Sequence, residues 1–192
     1  MKLVFATSNP HKLKELQEIA DTFGAKDIEF ILPPEGFDPV ENGKTFEENS
    51  LIKAKEANRL TGLPALADDS GLCVECLNGE PGIYSARYAD TPQARIDKLL
   101  KNVEPFENRK AKFVCAMTLV GKNGEIIFTT RGECHGSISK KQAGTGGFGY
   151  DPIFLVDGKN GLTIAELSDT EKNEVSHRGH ALRKVLKFLK VN

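Results

Sequence analysis

The chain has 192 residues, which is enough for one domain or for two closely packed lobes. Its 39% hydrophobic content is sufficient for a core, and 26 Lys plus Arg against 27 Asp plus Glu leave a net charge of −1. Because domains that bind a nucleic-acid polymer are usually strongly basic, this balance argues against such a partner, while it still allows a local anion site.

No stretch approaches the roughly 20 apolar residues that span a bilayer. The apolar run at the start of the chain is too short for a signal peptide. Four cysteines without an export signal indicate a reducing compartment rather than a disulfide scaffold. The sequence therefore predicts a cytoplasmic protein that has no membrane segment.

The first half of the chain predicts alternating strands and helices, bounded by capping residues and glycines. In chain order, the predicted elements are a strand at 2–7, a helix from Asn9 and Pro10 to Gly24, a helix from Thr45 to about Leu60, strands at 64–67 and 72–77 around a turn at 68–71, and a helix from Thr91 to about Lys101.

The second half predicts a β-hairpin and then helices. In chain order, its predicted elements are strands at 112–120 and 125–131 joined through Asn123-Gly124, a continuation of the sheet at 132–139, a Gly-rich loop at 144–149, a strand at 153–156, a capping box at Ser168 and Glu171, and a last helix after Ser176. The mixture of hairpins and β–α units indicates an α/β protein with a mixed sheet.

Cations occur at helix positions where folding alone does not require them. Lys12 falls in the first turn of the first helix, and His177 and Arg178 fall in the first turn of the last, although helix N-termini already carry partial positive charge. Lys53 lies on the helix face that should be buried. Each of these cations alone is compatible with ordinary packing. Lys53 could bury its aliphatic stem and keep its charged end in water. Together, however, the cations favour an anionic ligand.

The first strand and helix are joined by a segment suited to binding phosphate. Backbone N–H groups and short hydroxyls at such a junction commonly hold phosphates, although the same residues are also ordinary capping chemistry. The segment is Thr7-Ser8-Asn9-Pro10-His11-Lys12.

Two adjacent aspartates follow an apolar strand. Asp68 and Asp69, before Ser70 and Gly71, are placed to hold Mg²⁺, and one of them could accept a proton from an attacking water. A solvated turn is an equally good interpretation of these four residues. Glu41 is a loop carboxylate with no meaning by itself.

Two other motifs suggest functions that their contexts do not support. Residues 144–149 match G-x-G-x-x-G, but the segment after them reads as extended, whereas a dinucleotide fingerprint requires a helix there. Cys73 and Cys76 form a C-x-x-C, but residues three apart on a strand point to opposite faces and cannot chelate one zinc ion.

These motifs, in this order, resemble those of the inosine triphosphate pyrophosphatase family, nucleotidases that hydrolyse ITP, dITP and XTP. The matching segments extend over essentially the whole chain. They are Phe5-Ala6-Thr7-Ser8-Asn9 with Lys12, Thr45-Phe46-Glu47-Glu48-Asn49 with Lys53, Ala67-Asp68-Asp69-Ser70-Gly71, residues 81–88, residues 144–152, Glu171-Lys172 and Ser176-His177-Arg178-Gly179.

The resemblance implies an α/β fold with an elongated mixed β-sheet, flanking helices and two lobes around a central cleft, all in one domain over residues 1–192. It also implies a homodimer. The implied reaction is Mg²⁺-dependent attack of water on the α-phosphorus of a non-standard purine nucleoside triphosphate (ITP, dITP or XTP), which releases pyrophosphate and a nucleoside monophosphate.

The resemblance further implies a role for each matched residue. Asp69 is the general base and a metal ligand, and Glu41 and Asp68 support the metal, although Asp68 and Asp69 could exchange roles. The substrate-binding residues are Thr7, Ser8, Asn9, Pro10, His11, Lys12 and Lys53 at the triphosphate, Ser70, Phe148 stacked on the purine, Gly149, Tyr150 and Asp151 in the base pocket, and Lys172, His177 and Arg178 at the 6-keto edge and the adjacent ribose or phosphate.

Three alternatives remain open on the sequence. A related pyrophosphatase would act on other modified or pyrimidine nucleotides. A nucleotide sensor would bind without hydrolysis, which the intact Asp68-Asp69 pair argues against. A nucleic-acid-binding module would show steep salt dependence, and the charge balance disfavours it.

Overall fold

The computed structural model describes residues 1–189, with the side chain of His11 excepted. The helices are α1 (Pro10–Thr22), α2 (Phe46–Thr61), α3 (Pro92–Val103), α4 (Asp169–Val175) and α5 (His177–Phe188). The strands are β1 (Lys2–Phe5), β2 (Glu29–Ile31), β3 (Ala65–Val74), β4 (Lys110–Val120), β5 (Ile126–Ile138) and β6 (Phe154–Val156).

The six strands form one mixed sheet in the order β2-β1-β3-β4-β5-β6. β1 pairs in parallel with both β2 and β3, and β5 pairs antiparallel with β6. Parallel pairs need crossover helices, whereas antiparallel strands can follow each other through short turns. The prediction of an α/β fold with a mixed sheet and flanking helices is confirmed.

The chain divides into two compact units. Unit 1 contains residues 1–69, 115–132 and the chain from Arg178 onward, and unit 2 contains residues 70–114 and 133–177. The prediction that all of the chain forms one domain stays a prediction.

Unit 1 has its core around β1, α1 and α5. Phe5, Leu16, Met117 and Leu182 are each fully buried there. The predicted last helix packs against this core: Ala181, Leu182, Val185 and Leu186 are buried, and Leu189, just after the helix, is partly buried. Burying apolar side chains of this size stabilises a fold by roughly 1.5–3 kcal/mol each, which fixes the helices that carry the polar residues of the site.

Unit 2 has a separate core. It packs Leu72 of β3 and Leu99 of α3 with Phe113 of β4 and Phe154 of β6, and the two phenylalanine rings lie 4.6 Å apart between centroids. The same core includes Tyr150, next to the Gly-rich loop, and Val175 of α4 packs against it.

Local capping chemistry accounts for the predicted helix boundaries. The Thr45 hydroxyl accepts a hydrogen bond from the backbone N–H of Glu48, and Gly62 ends α2 with a left-handed φ of 66°. Ser168 and Glu171 form the predicted capping box of α4. The predicted starts of α2 and α4 are therefore confirmed. They could be predicted because capping depends only on neighbouring residues.

Three structural predictions are wrong. The turn predicted at residues 68–71 does not exist, because β3 continues through it from Ala65 to Val74. Cys76 lies in a 3₁₀ helix rather than on a strand, so the predicted strand at 72–77 ends early. Residues 151–153 form a 3₁₀ turn rather than extended chain, although no α-helix follows the Gly-rich loop directly. The short strand β2 was not predicted.

Candidate functional site

Two carboxylates in unit 1 share one lysine. The Lys53 Nζ lies 2.9 Å from Glu41 Oε2 and 3.3 Å from Asp69 Oδ1. α2 supplies the lysine, β3 supplies the aspartate, and the loop before α2 supplies the glutamate. We call Glu41, Lys53 and Asp69 the carboxylate–lysine cluster.

Lys53 is buried although a charged side chain ordinarily favours solvent. Its side chain is only 11% exposed and its ammonium contacts carboxylates, so the interpretation of a solvated head is wrong. Burial acts to lower the pKa of Lys53, but the charges of Asp68, Asp69 and Glu41 outweigh it and the pKa is raised. The lysine is therefore a permanent cation at this site.

Asp69 has the electrostatic character of a base. Burial raises the pKa of its carboxyl, and the Lys53 charge and the Asn49 hydrogen bond offset this only in part. A raised carboxyl pKa brings a base closer to the pH at which enzymes work, which favours proton transfer.

Asp68 is held in a different environment from its neighbour. It is 1% exposed, and Arg178 donates to its Oδ2 from Nε at 3.2 Å and from Nη2 at 3.0 Å. Arg178 also donates to Glu15 Oε2 at 2.8 Å. Burial would raise the pKa of Asp68, but the charges of Lys12, Arg178 and Lys53 hold it well below its usual range. Asp68 is therefore a permanent anion, which makes it a poor base.

The predicted phosphate-binding segment joins β1 to α1. The Thr7 hydroxyl is largely buried and accepts a hydrogen bond from the backbone N–H of Asn9 at 3.1 Å. Ser8, Asn9 and Pro10 are exposed. Lys12 Nζ lies 3.9 Å from Asp68 Oδ1. The His11 backbone belongs to α1, and its predicted side-chain role lies outside the described part of the structure.

The Gly-rich loop of unit 2 is closed by Asp151. Its buried carboxylate accepts the backbone N–H of Phe148 at 3.0 Å and an Nζ hydrogen bond from Lys172 at 3.1 Å. The same Lys172 ammonium lies 4.8 Å from the centre of the Phe148 ring. Phe148 itself is 55% exposed, so its ring is available to a ligand. The loop thus presents an aromatic face beside a fixed cation.

Gly147 has no side chain because the loop has no room for one. A Cβ there would lie 2.1 Å from Asp151 Oδ2, and the φ of 71° already disfavours other residues.

The remaining predicted residues of unit 2 have different surroundings. The buried Tyr150 donates its hydroxyl to the Ser85 carbonyl at 2.8 Å, and burial raises its pKa to about 12. Its side chain thus supports the loop from within. The His177 ring stacks on Phe113 at 4.9 Å between centroids. Gly149 adopts a left-handed φ of 61°, and Ser70 is a half-buried residue of β3.

Sequence reasoning missed three residues of unit 1. Asn49 and Gly43 contact each other beside the carboxylate–lysine cluster, and Glu15 binds Arg178. Asn49 belongs to a matched motif, but the sequence assigned it no role. Gly43 looked like an ordinary loop residue. The one available signal was a buried-face asparagine on an amphipathic helix, which usually has a specific partner.

Two kinds of feature are absent from the described residues. Within residues 1–189, no helix is both long enough and apolar enough to cross a membrane. In the same range, His, Cys, Asp and Glu side chains form no group of three or more arranged to hold a metal ion.

The chain is similar to known proteins over nearly its whole length. The model of the Ham1 family matches residues 3–188. A dITP/XTP pyrophosphatase of Geobacter sulfurreducens is 48% identical over 94% of this chain and 92% of the relative, and one of Aquifex aeolicus is 44% identical over 99% and 97%. The structure of a HAM1 protein from Coxiella burnetii covers 100% of both chains with a TM-score of 0.89 and 40% identity.

These similarities confirm the predicted family and the predicted enzyme class. Relatives at this identity and coverage place the chain among the nucleotide pyrophosphatases, which are hydrolases. The chain belongs to the Ham1 family.

Proposed function

We propose that the protein hydrolyses non-standard purine nucleoside triphosphates, namely dITP, ITP and XTP, to the nucleoside monophosphate and pyrophosphate in the presence of Mg²⁺. The observation that supports this most directly is the carboxylate–lysine cluster, in which Asp69 has a raised pKa beside a buried cation. The curated relatives carry the name dITP/XTP pyrophosphatase, in agreement with this substrate class.

The donor set of the cluster fits a divalent metal. Oxygens of Glu41 and Asp69 both lie within 3.3 Å of the Lys53 Nζ, so the two carboxylates already converge on one cation. Hard carboxylate oxygens are the ligands that Mg²⁺ prefers. Asp68 is also a proposed ligand, but its bonds to Arg178 favour Glu41 and Asp69 as the main donors. Bound there, Mg²⁺ would supply charge neutralisation for the phosphates and the leaving pyrophosphate.

Asp69 acts as the general base in this proposal. Its carboxylate accepts a proton from the water that attacks the α-phosphorus, and its raised pKa makes it a stronger proton acceptor than Asp68. Lys53 and Lys12, with the backbone of residues 7–12, hold the triphosphate. Phosphoryl transfer depends mainly on such positioning and charge neutralisation.

The Gly-rich loop recognises the base in this proposal. Phe148 stacks on the purine, and Lys172, held by Asp151, offers a donor to a 6-keto oxygen. The 6-amino group of adenine is itself a donor, so ATP would lose this contact with Lys172 and place two donors against each other, at a cost of about 1–3 kcal/mol. His177, Arg178, Tyr150, Gly149 and Ser70 are proposed to complete the substrate contacts. Assembly as a homodimer and a cytoplasmic location stay predictions.

A nucleotide panel with product identification tests the proposal. We expect dITP, ITP and XTP to yield monophosphate and pyrophosphate with Mg²⁺, and ATP to be left almost intact. Turnover confined to pyrimidine nucleotides would contradict the substrate class, and release of orthophosphate with a diphosphate would contradict the reaction.

A further inference from the structure

One buried asparagine connects the two arms of the carboxylate–lysine cluster. Asn49 is 1% exposed, and its Nδ2 donates to Asp69 Oδ2 at 3.2 Å. Its Oδ1 accepts the backbone N–H of Gly43 at 2.9 Å, two residues after Glu41. A single amide therefore holds Asp69 directly and the backbone of the loop that carries Glu41.

We propose that Asn49 is a positioning residue that fixes the separation of the Glu41 and Asp69 carboxylates and so sets the affinity of the cluster for its divalent metal. The inference rests on the proposed function, because it assumes that these two carboxylates bind the metal. Asn49 acts through Asp69 and Gly43 and needs no contact with the substrate.

The two bonds together require an amide at this position. Asp69 is a hydrogen-bond acceptor, so its neighbour must donate, whereas the Gly43 N–H requires an acceptor. Asparagine supplies both from one short side chain. Aspartate would place a second carboxylate against Asp69, and an apolar residue would supply neither bond.

The Asn49 bond also fixes the orientation of the Asp69 carboxylate. Oδ1 of Asp69 faces the Lys53 ammonium at 3.3 Å and Oδ2 faces the Asn49 amide at 3.2 Å. With both oxygens held, the carboxylate has little freedom to rotate. A ligand that is held in advance loses less entropy when it binds a metal.

Gly43 provides an independent sign that this contact is built into the chain. A Cβ at Gly43 would lie 2.6 Å from Asn49 Oδ1, 2.7 Å from Glu48 Cβ and 3.0 Å from the Asn49 backbone N. No side chain fits between the loop and the helix, so a glycine is needed here for close approach. A larger residue would require the loop or the helix to shift, and Glu41 lies only two residues away in the same loop.

The helix that carries Asn49 is anchored separately. The neighbouring Ser50 is fully buried, and its Oγ lies 2.7 Å from Thr118 Oγ1 and donates to the Glu47 carbonyl at 2.9 Å. Ser50 shares the burial and the helix of Asn49, but its hydrogen bonds go to Glu47 and Thr118, which lie outside the cluster. It is therefore the matched control position.

The test measures metal binding without nucleotide. Mn²⁺ binding is followed by electron paramagnetic resonance or by calorimetry for the wild type, Asn49→Ala, Gly43→Ala and Ser50→Ala. Loss of an outer-shell partner typically weakens metal affinity by about 10–100-fold. We expect a weakening of that size for Asn49→Ala and Gly43→Ala, and a change of less than about threefold for Ser50→Ala.

Steady-state kinetics provide a second readout. With dITP at saturating Mn²⁺, we expect the KM for the nucleotide to change little in Asn49→Ala, whereas the Mn²⁺ concentration for half-maximal rate rises with the dissociation constant. Gly43→Ala disturbs the hydrogen bond between Gly43 and Asn49 from the loop side. The test therefore stays decisive if Asn49→Ala does not fold.

Two results would overturn the proposal. One is an unchanged Mn²⁺ affinity in both Asn49→Ala and Gly43→Ala. The other is an equal loss in Ser50→Ala, which would assign the effect to general loosening of α2. If the protein binds Mn²⁺ but releases no pyrophosphate from any nucleotide, the proposed function is wrong. The Mn²⁺ affinities of the variants still decide the role of Asn49 in that case.

Discussion

Replacing Arg178 by methionine tests the buried ion pair of unit 1. Arg178 is 2% exposed and makes two hydrogen bonds to Asp68 and one to Glu15. Methionine has a similar length but no charge, so the substitution leaves the Asp68 carboxylate buried beside fewer cations. Breaking a buried pair by removal of one partner costs about 3–5 kcal/mol, because an uncompensated charge remains inside.

Urea unfolding measures this loss against a matched surface pair. Arg131 also donates two hydrogen bonds to one carboxylate, Glu47, at 2.8 and 3.0 Å, but its side chain is 43% exposed. We expect Arg178→Met to lower the free energy of unfolding by about 3–5 kcal/mol and Arg131→Met by about 1 kcal/mol or less.

A double variant separates the buried charge from lost packing. Asp68→Asn added to Arg178→Met removes the uncompensated anion, so part of the lost stability should return. Losses below about 1 kcal/mol for Arg178→Met, or equal losses at Arg178 and Arg131, would refute the reasoning that removal of Arg178 leaves an uncompensated buried charge.

Three further predictions follow from the site. Asp69→Asn should lower turnover by about 10²–10⁴-fold with nearly unchanged urea unfolding, and near-normal turnover would remove Asp69 as the base. The Tyr150 pKa is raised to about 12 from 10.0, mainly by burial, so the folded state holds this proton more tightly than the unfolded state. Stability should therefore be fully present below pH 10 and fall as the pH rises toward 12, with phenolate absorbance near 295 nm as the check; a group that ionises at pH 10 without loss of stability would contradict it. Gly147→Ala should raise the KM for dITP more than Gly149→Ala does, because both have a left-handed φ but only the first Cβ would collide with Asp151; equal effects would show that backbone strain alone is responsible.

The sequence predicted helix boundaries well because capping is local. Thr45, Gly62 and Ser168 act on residues within four positions, so their pattern is complete in a short window. The residues proposed to bind phosphate and base also belong to short motifs at predicted element boundaries.

The acidic segment shows what local reasoning could not reach. Asp68 and Asp69 are followed by Ser70 and Gly71, which is common turn chemistry, yet all four lie within β3. The strand tolerates Asp68 because Arg178, 110 residues away in the chain, supplies its bonds. A pattern in a short stretch of sequence around Asp68 cannot reveal a hydrogen-bond partner that far away in the chain.

Opposite pKa shifts of neighbouring carboxyls also depend on distant partners. Asp68 and Asp69 are equivalent in the sequence, and their roles could be exchanged on that basis alone. In the fold, burial acts to raise the pKa of both carboxyls, but Lys12 and Arg178 outweigh it at Asp68 and lower the pKa there, whereas Lys53 offsets it only in part at Asp69. The structure therefore favours Asp69 as the base, for a reason that only the packing supplies.

The most direct test of the central claim locates the attacked phosphorus. Hydrolysis of dITP in ¹⁸O-labelled water, followed by mass spectrometry of both products, shows which product receives the water oxygen. We expect the label in the monophosphate, because in the proposed mechanism Asp69 activates the water that attacks the α-phosphorus. Label in pyrophosphate, or in orthophosphate beside a nucleoside diphosphate, would contradict the account.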